Sequence, residues 1–290
     1  PGPHSKAVID GLTPVLAEFD RSGALEMAAV LAALGGSFVL PGPSGAPTRG
    51  RPDVLPTGRN FFAVDIRGVP TQAAWQIGAN AAARVVERYV MEEGEWPRTV
   101  VLTCWGTSNM RTGGDDLAQA LAFIGAEPVW EATRLTGFRV RPLSALARPR
   151  VDVTLRISGF FRDAFPDQIN LFDSAVRAVA ALDEPADQNP IRQRFVNGGE
   201  GADISVSGAM PGAYGAGLQA LIDTGAWDSR ADLAEAFVAW GRYAYGKGAA
   251  GEEAEGALRQ RRGTVDALVQ AQDNREHDLL DSDDYYQFEG

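Results

Sequence analysis

Between positions 14 and 34 the apolar residues Val15, Leu16, Phe19, Met27, Val30, Leu31 and Leu34 recur at helical spacing, and Gly35-Gly36 supply a stop. The pattern predicts a helix over 14–34, interrupted near Gly23. Residues 40–60, LPGPSGAPTRGRPDVLPTGRN, have no period and read as a long loop, a kind of segment that usually serves a function. Thr71 is placed to cap a helix reaching Tyr89. The run TVVLTCW at 99–105 predicts a buried strand. Asp115-Asp116 open a helix to Ile124, where acids suit the positive end. Short strands are expected at 127–130 and 138–143, and VDVTLRI at 151–157 alternates as a further strand. Residues 160–182 read as helical, bent or broken at Pro166. A strand is expected at 204–207, then helices over 215–223, 231–245 and 252–272.

Helix and strand therefore alternate over 60–182, which argues for an α/β fold with a mainly parallel sheet and flanking helices. A mostly helical C-terminal layer follows. Three regions result: an N-terminal helix and loop (1–60), an α/β domain (61–207), and a helical region with an acidic tail (208–290).

The charge sharpens this picture. Residues 1–165 carry 17 basic and 16 acidic side chains, whereas 166–290 carry 10 and 22, within a total formal charge of −11. So acidic a half excludes nucleic acid as partner. No run of about 18 apolar residues exists, so no membrane span is expected. The lone Cys104 fits a reducing, cytoplasmic setting. The chain opens on Pro1 without Met and is expected to be a piece of something longer. Of the 27 basic residues 25 are Arg. A GC-rich gene gives that excess, and so does a protein whose planar guanidiniums grip carboxylates.

Four segments carry candidate chemistry. WGTSNMRTGGDD at 105–116 and SGFFRD at 158–163 follow strand ends, where open α/β sheets bind ligands. Arg111 and Arg162 there could receive an anionic group, or the segments are ordinary strand-to-helix turns. Arg49, Arg51 and Arg59 in the long loop, with Arg111, are expected to rim one pocket with Trp105. GRYAYGKG at 241–248 nearly matches a phosphate loop. It fails because Gly248 replaces the Ser or Thr and the stretch continues a helix. The tail 273–290 gathers His277 with Asp278, Asp281 and Asp283 beside Tyr285, Tyr286 and Phe288. Mixed nitrogen and oxygen donors suit a borderline divalent cation, and His277 and Asp283 could also accept protons. The alternative is a solvated charged tail.

Together the segments at 41–62, 105–121, 148–166, 211–217 and 273–290 resemble the large subunit of aerobic cobaltochelatase, a relative of the large subunit of magnesium chelatase. They lie in the expected order along nearly the whole chain. The family subunit is much longer, so the chain resembles its C-terminal part, and the family's upstream His/Glu segment is not found. Before Pro211, ISVSGAM stands where the family usually has a phenylalanine and a basic residue. The resemblance implies ATP-dependent insertion of Co²⁺, as substrate, into hydrogenobyrinic acid a,c-diamide. It also implies two AAA+-type partner subunits that use the ATP and Mg²⁺, neither being bound here. Its segments contribute Asn60, Thr107, Arg156 and Tyr214 as further corrinoid contacts, beside Trp105 and the arginines. The same scaffold acting on porphyrin and magnesium, or serving only as a tetrapyrrole-binding or docking module, are the alternatives.

Overall fold

The computed structural model describes residues 2–45, 47, 51–62, 64–199, 201–215, 217–246 and 248–272; the side chains of 61, 62 and 262 are outside that description. The chain divides into two compact units, Pro1–Asp65 with Met110–Gly113, and Ile66–Asn109 with Gly114–Gly290.

In the first unit, helix α1 spans Pro3–Leu34. It begins eleven residues earlier than the periodicity predicts and does not break at Gly23. Val8, Ile9 and Leu12 extend the apolar stripe backwards, and one helical glycine costs only about 1 kcal/mol. Pro3 occupies the first turn, where its missing N–H is harmless. The only buried residue of α1 is Ser22, whose hydroxyl accepts from the Thr57 amide at 3.1 Å. Gly58, at φ +83°, lets the returning chain lie against the Leu25 backbone. The loop over 40–60 is not featureless: β1 (Pro41–Pro43) and β2 (Asn60–Phe62) pair in parallel, Pro41 opposite Asn60.

The second unit starts with α2 (Gln72–Glu93), capped as expected by Thr71, whose Oγ1 accepts from the Ala74 amide at 3.1 Å. Strand β3 (Thr99–Cys104) leads into α3 (Gly106–Thr112), a helix the sequence pattern did not announce. Helix α4 (Asp115–Ile124) is buried along its whole length. It packs on β3 and β6 (Asp152–Ile157) and between α2 and α7 (Pro166–Ala180). At Gly78 an added Cβ would come within 2.7 Å of Ala118 and of α4 backbone, so the α2–α4 seam requires small residues.

The two strands expected after α4 exist as β4 (Ala126–Glu131) and β5 (Arg134–Val140). They form a separate antiparallel hairpin, not part of the parallel sheet. After α5 (Leu143–Leu146) and β6, helix α6 (Gly159–Ala164) and α7 are split at Phe165, as Pro166 demands. Helix α8 (Pro190–Asn197) and strand β7 (Val206–Gly208) follow. The C-terminal stretch carries helices α9 (Gln219–Thr224), α10 (Arg230–Trp240) and α11 (Glu255–Arg262). It also carries strands β8 (Tyr243–Gly246), β9 (Ala249–Glu253) and β10 (Ala267–Val269); β8 and β10 fall where the pattern predicted the helices 231–245 and 252–272, and β9 lies mostly in the gap between them. The near phosphate loop thus lies on β8, because α10 already ends at Gly241.

The main sheet has the order β10-β3-β6-β7-β8-β9, parallel through β7 and antiparallel thereafter. Alternation gives it two different faces. Val100, Leu102, Val153, Leu155 and Ile157 are buried on one. On the other, Thr103, Arg156 and Ser207 lie in one row across β3, β6 and β7, with Asp152 and Thr154 below Arg156. These polar residues are buried too. Phe237 of α10 stacks on the Arg156 guanidinium, its ring centroid 4.0 Å away, and Arg261 of α11 donates to Thr154 Oγ1 at 2.7 Å. No helix among the described residues is long and apolar enough to cross a membrane.

Candidate functional site

Strands β3, β6 and β7 end side by side, and each end carries a glycine. An added Cβ at Gly106 would lie 2.7 Å from the Phe161 amide nitrogen, at Gly159 2.5 Å from the Ala213 carbonyl, and at Gly208 2.8 Å from the Ile157 carbonyl. Only glycine admits such backbone approach, so the three loops leaving the sheet are packed main chain on main chain. One hydroxyl joins two of them. Ser158 Oγ accepts from the amides of Phe161 and Gly106, both at 3.1 Å, capping α6 and tethering the start of α3.

The third loop is held by Arg162. Its Nη1 donates to the carbonyls of Met210 at 2.7 Å and Ala213 at 3.0 Å, while Nε and Nη2 grip Asp163 at 2.7 and 2.9 Å. Tyr214 Oη donates to the same Asp163 carboxylate at 2.7 Å, and its ring centroid lies 5.5 Å from the guanidinium carbon. The Arg162 guanidinium, helped by Tyr214, holds the Asp163 carboxyl below the usual carboxylate range. Asp163 in turn raises the Tyr214 phenol. Tyr245, from β8, donates its hydroxyl to Ala209 and closes the loop from beneath.

These loops leave apolar surface outside. Phe160 is 38% exposed, Met210 49% and Tyr214 60%, with Trp105 half-buried and Thr107 exposed nearby in the chain. Aromatic and thioether groups on rigid strand ends suit a flat apolar ring with a polar rim.

Beneath the first loop lies a buried polar knot. The Asn109 amide donates to Trp105 O at 2.7 Å and to Asp116 Oδ2 at 2.9 Å, and lies 3.3 Å from Cys104 Sγ. Burial, then the Asp116 charge, push the Cys104 thiol well above its ordinary value of 9.0, with Asn109 opposing them. Folding thus favours the neutral thiol. Its contribution is complete below about pH 9 and is lost as the pH rises further. Cys104 is expected to react with a disulfide reagent at pH 8 at least about 100-fold more slowly than in the urea-unfolded chain. Equal rates, measured by release of the chromophore, would refute this burial.

The sequence-predicted residues divide between the units. Arg51, Arg59, Asn60 and Arg111 belong to the first; Trp105, Thr107, Arg156, Arg162 and Tyr214 belong to the second. Arg51 is already gripped by Asp53 through two bonds of 2.8 Å, which raises the one group and lowers the other. Arg59 is exposed and lays its stem on Gly42; Asn60 is exposed at the start of β2; Arg111 is exposed in the last turn of α3. Arg162 and Tyr214 come together on Asp163, with the guanidinium turned inward. Arg156, next to last in β6, lies inside, buried beneath Phe237. Arg49, His277, Asp278, Asp281 and Asp283 lie outside the described residues. Among the described residues no group of three or more His, Cys, Asp or Glu is placed to hold a metal. Sequence reasoning missed Phe160, Met210 and the Asn109 knot. The glycine directly after each strand run was the available signal.

A family model described as CobN/Magnesium Chelatase matches residues 5–290. The chain belongs to this family. It is 56% identical to the aerobic cobaltochelatase subunit CobN of Sinorhizobium sp, over 99% of this chain and 24% of that protein. Identity to the magnesium-chelatase H protein of Chlorobaculum parvum is 31%, over 98% of this chain and 23% of that one. The solved catalytic subunit of cobaltochelatase from Mycobacterium tuberculosis superposes with a TM-score of 0.85 at 44% identity, covering 96% of this chain and 24% of that one. The chain thus spans about a quarter of the length of these members of the CobN/Magnesium Chelatase family.

Proposed function

We propose that this chain is a C-terminal part of a cobaltochelatase large subunit and supplies one wall of its corrinoid site. In this reading the whole subunit inserts Co²⁺ into hydrogenobyrinic acid a,c-diamide in the cytoplasm, while two AAA+-type partner subunits hydrolyse ATP with Mg²⁺. The observation that carries it is the aromatic surface on the fixed ends of β3, β6 and β7, in a chain 56% identical to an aerobic cobaltochelatase subunit. A corrinoid is a large ring with an apolar face and a rim of carboxylates and amides. Trp105, Phe160, Met210 and Tyr214 would meet the face. Thr107, exposed on the same unit, is the rim candidate. Arg162 and Asp163 fix the loop that carries Tyr214. The cobalt branch is preferred to magnesium because identity to the magnesium-chelatase relatives is 31–36%, against 52–56% to the cobaltochelatase subunits.

Insertion also needs a metal donor set and a base for the ring N–H protons. We assign these to the tail: His277 with Asp278, Asp281 and Asp283 would hold Co²⁺ weakly enough to release it, and His277 or Asp283 would accept a proton. The test uses the full-length subunit with its partners and ATP. His277→Ala/Asp283→Ala is expected to bind corrinoid and partners at parental strength while insertion falls at least about 100-fold. Insertion at the parental rate would end the assignment. Loss of complex formation alone would make the tail a docking element.

A further inference from the structure

At the amino ends of β3 and β6, the opposite end of the sheet from the aromatic loops, a cavity of about 330 Å³ opens between α8, α11 and the glycine turn before β7. That volume is in the range, about 300–1,000 Å³, of small-molecule sites. Its wall carries three cations, Arg98, Arg194 and Arg261, and one anion, Asp152.

The charges on that wall do not balance. Arg194 reaches Asp152 through bonds of 2.8 and 3.0 Å, and Arg261 reaches the same carboxylate at 3.3 Å twice. Both guanidiniums are largely buried, with side-chain exposures of 14% and 9%, and the carboxylate is at 4%. Arg98, at the exposed edge, donates to the neutral Gln193 amide at 2.7 Å. Of the nearby carboxylates, Asp203 pairs with Arg177 at 3.1 Å and adds only the smallest of the attractions felt by Arg194, and Asp266 accepts the backbone amides of Arg98 and Thr99 at 2.7 and 2.8 Å. One carboxylate thus faces two buried guanidiniums. Burial of uncompensated charge is costly, so the wall favours an added anion. The titration behaviour agrees. Burial lowers Arg194 most, Asp152 and, least, the charge of Asp203 only partly offset that, and Arg261 lowers it further. Burial raises Asp152, yet Arg261 and Arg194 outweigh it and hold the carboxyl below its ordinary range.

We propose that this cavity binds a small multivalent oxyanion, of phosphate or carboxylate chemistry, on Arg261 and Arg98, with Arg194, whose N–H groups already serve Asp152, Ser205, Ala202 and Ile204, adding its charge. Guanidinium forks match both kinds of oxyanion, and the site stands independently of the chelatase reading. Thermal unfolding of the chain at fixed ionic strength tests it, with inorganic pyrophosphate and citrate as probes and chloride as the reference. A saturable rise in unfolding temperature is expected with at least one probe, because a ligand that binds only the folded state stabilises it. Response to pyrophosphate alone assigns phosphate chemistry, and response to citrate alone assigns carboxylate chemistry. Two exposed positions on the cavity wall give the controls. Gln260→Glu adds the missing carboxylate; it is expected to unfold at a higher temperature than the parent without anion and to need at least tenfold more anion for the same shift. Arg98→Gln is expected to keep the parental unfolding temperature and to respond more weakly. No saturable shift with either probe overturns the proposal, as does a response that Gln260→Glu leaves at full strength.

Discussion

Replacing Arg150 by Met is expected to lower folding stability by about 3–5 kcal/mol, the usual cost of breaking a buried charge pair from one side. Arg150 is fully buried. Its Nε and Nη2 reach Glu184 at 2.7 Å each, Nη1 donates to Ile124 O at 2.9 Å, and Nη2 also donates to Arg141 O at 2.8 Å. The side chain therefore ties the C-terminus of α4 to the end of β5 and to the turn after α7. Cations belong at that helix end, and neighbouring Arg148 donates to Ala122 O and Phe123 O there. Met fills the volume but leaves Glu184 with only the Asn189 amide, at 2.8 Å, as its bonded partner in this pocket. Urea unfolding measures the loss. Arg150→Met/Glu184→Gln is expected to recover part of it, since the stranded charge is gone. A loss below about 1 kcal/mol for the single variant would mean that α4 is held by packing alone.

The second large effect is expected at Gly159. In Gly159→Ala the new methyl group would sit 2.5 Å from the Ala213 carbonyl and 2.8 Å from the Tyr214 ring. The β6 end is held in the sheet and cannot yield easily, so the loop over 209–214, which carries that carbonyl, must move and the Tyr214–Asp163 bond must open. A shift of about 1 Å in a binding surface costs on the order of 100-fold in rate. Cobalt insertion by the full-length Gly159→Ala subunit, assayed with its partners, is expected to fall by about that factor, with far-UV circular dichroism unchanged. Gly23→Ala, in open space on α1, is the matched control and is expected to insert at the parental rate. Parental activity in Gly159→Ala would remove this loop from the corrinoid site.

What the sequence made legible follows from burial. Strands β3 and β6 and helix α4 read correctly because a buried run leaves few ways to arrange its apolar residues, and Thr71 and Pro166 punctuate their helices by local chemistry. Strands β8 to β10 were illegible. Tyr243 to Tyr245 are too few to show a period of two, and what anchors β8 and β10 is pairing with β7 and β3 further back in the chain, β9 then adding to β8. The β4–β5 hairpin turns through Ala132, at φ +54°, without the Asn-Gly signal that marks such turns. Arg156 shows the same limit at the site. Its place in VDVTLRI told that it shared a face with Asp152 and Thr154, but only Phe237 and Arg261, some eighty to a hundred positions later, decide that this face is covered. Arg162 was legible as an arginine at a strand end. Its inward grip on Met210 and Ala213 depends on a loop that no local pattern ties to it.

Helix α4, sealed on all sides, has a consequence for how this protein breathes. Its amide hydrogens cannot meet solvent through fraying or small local openings, so they exchange for deuterium only when the surrounding unit comes apart as a whole. Amides in the stretch 117–124 should therefore be among the slowest in the chain to exchange, and their rate should report the opening free energy of the unit directly.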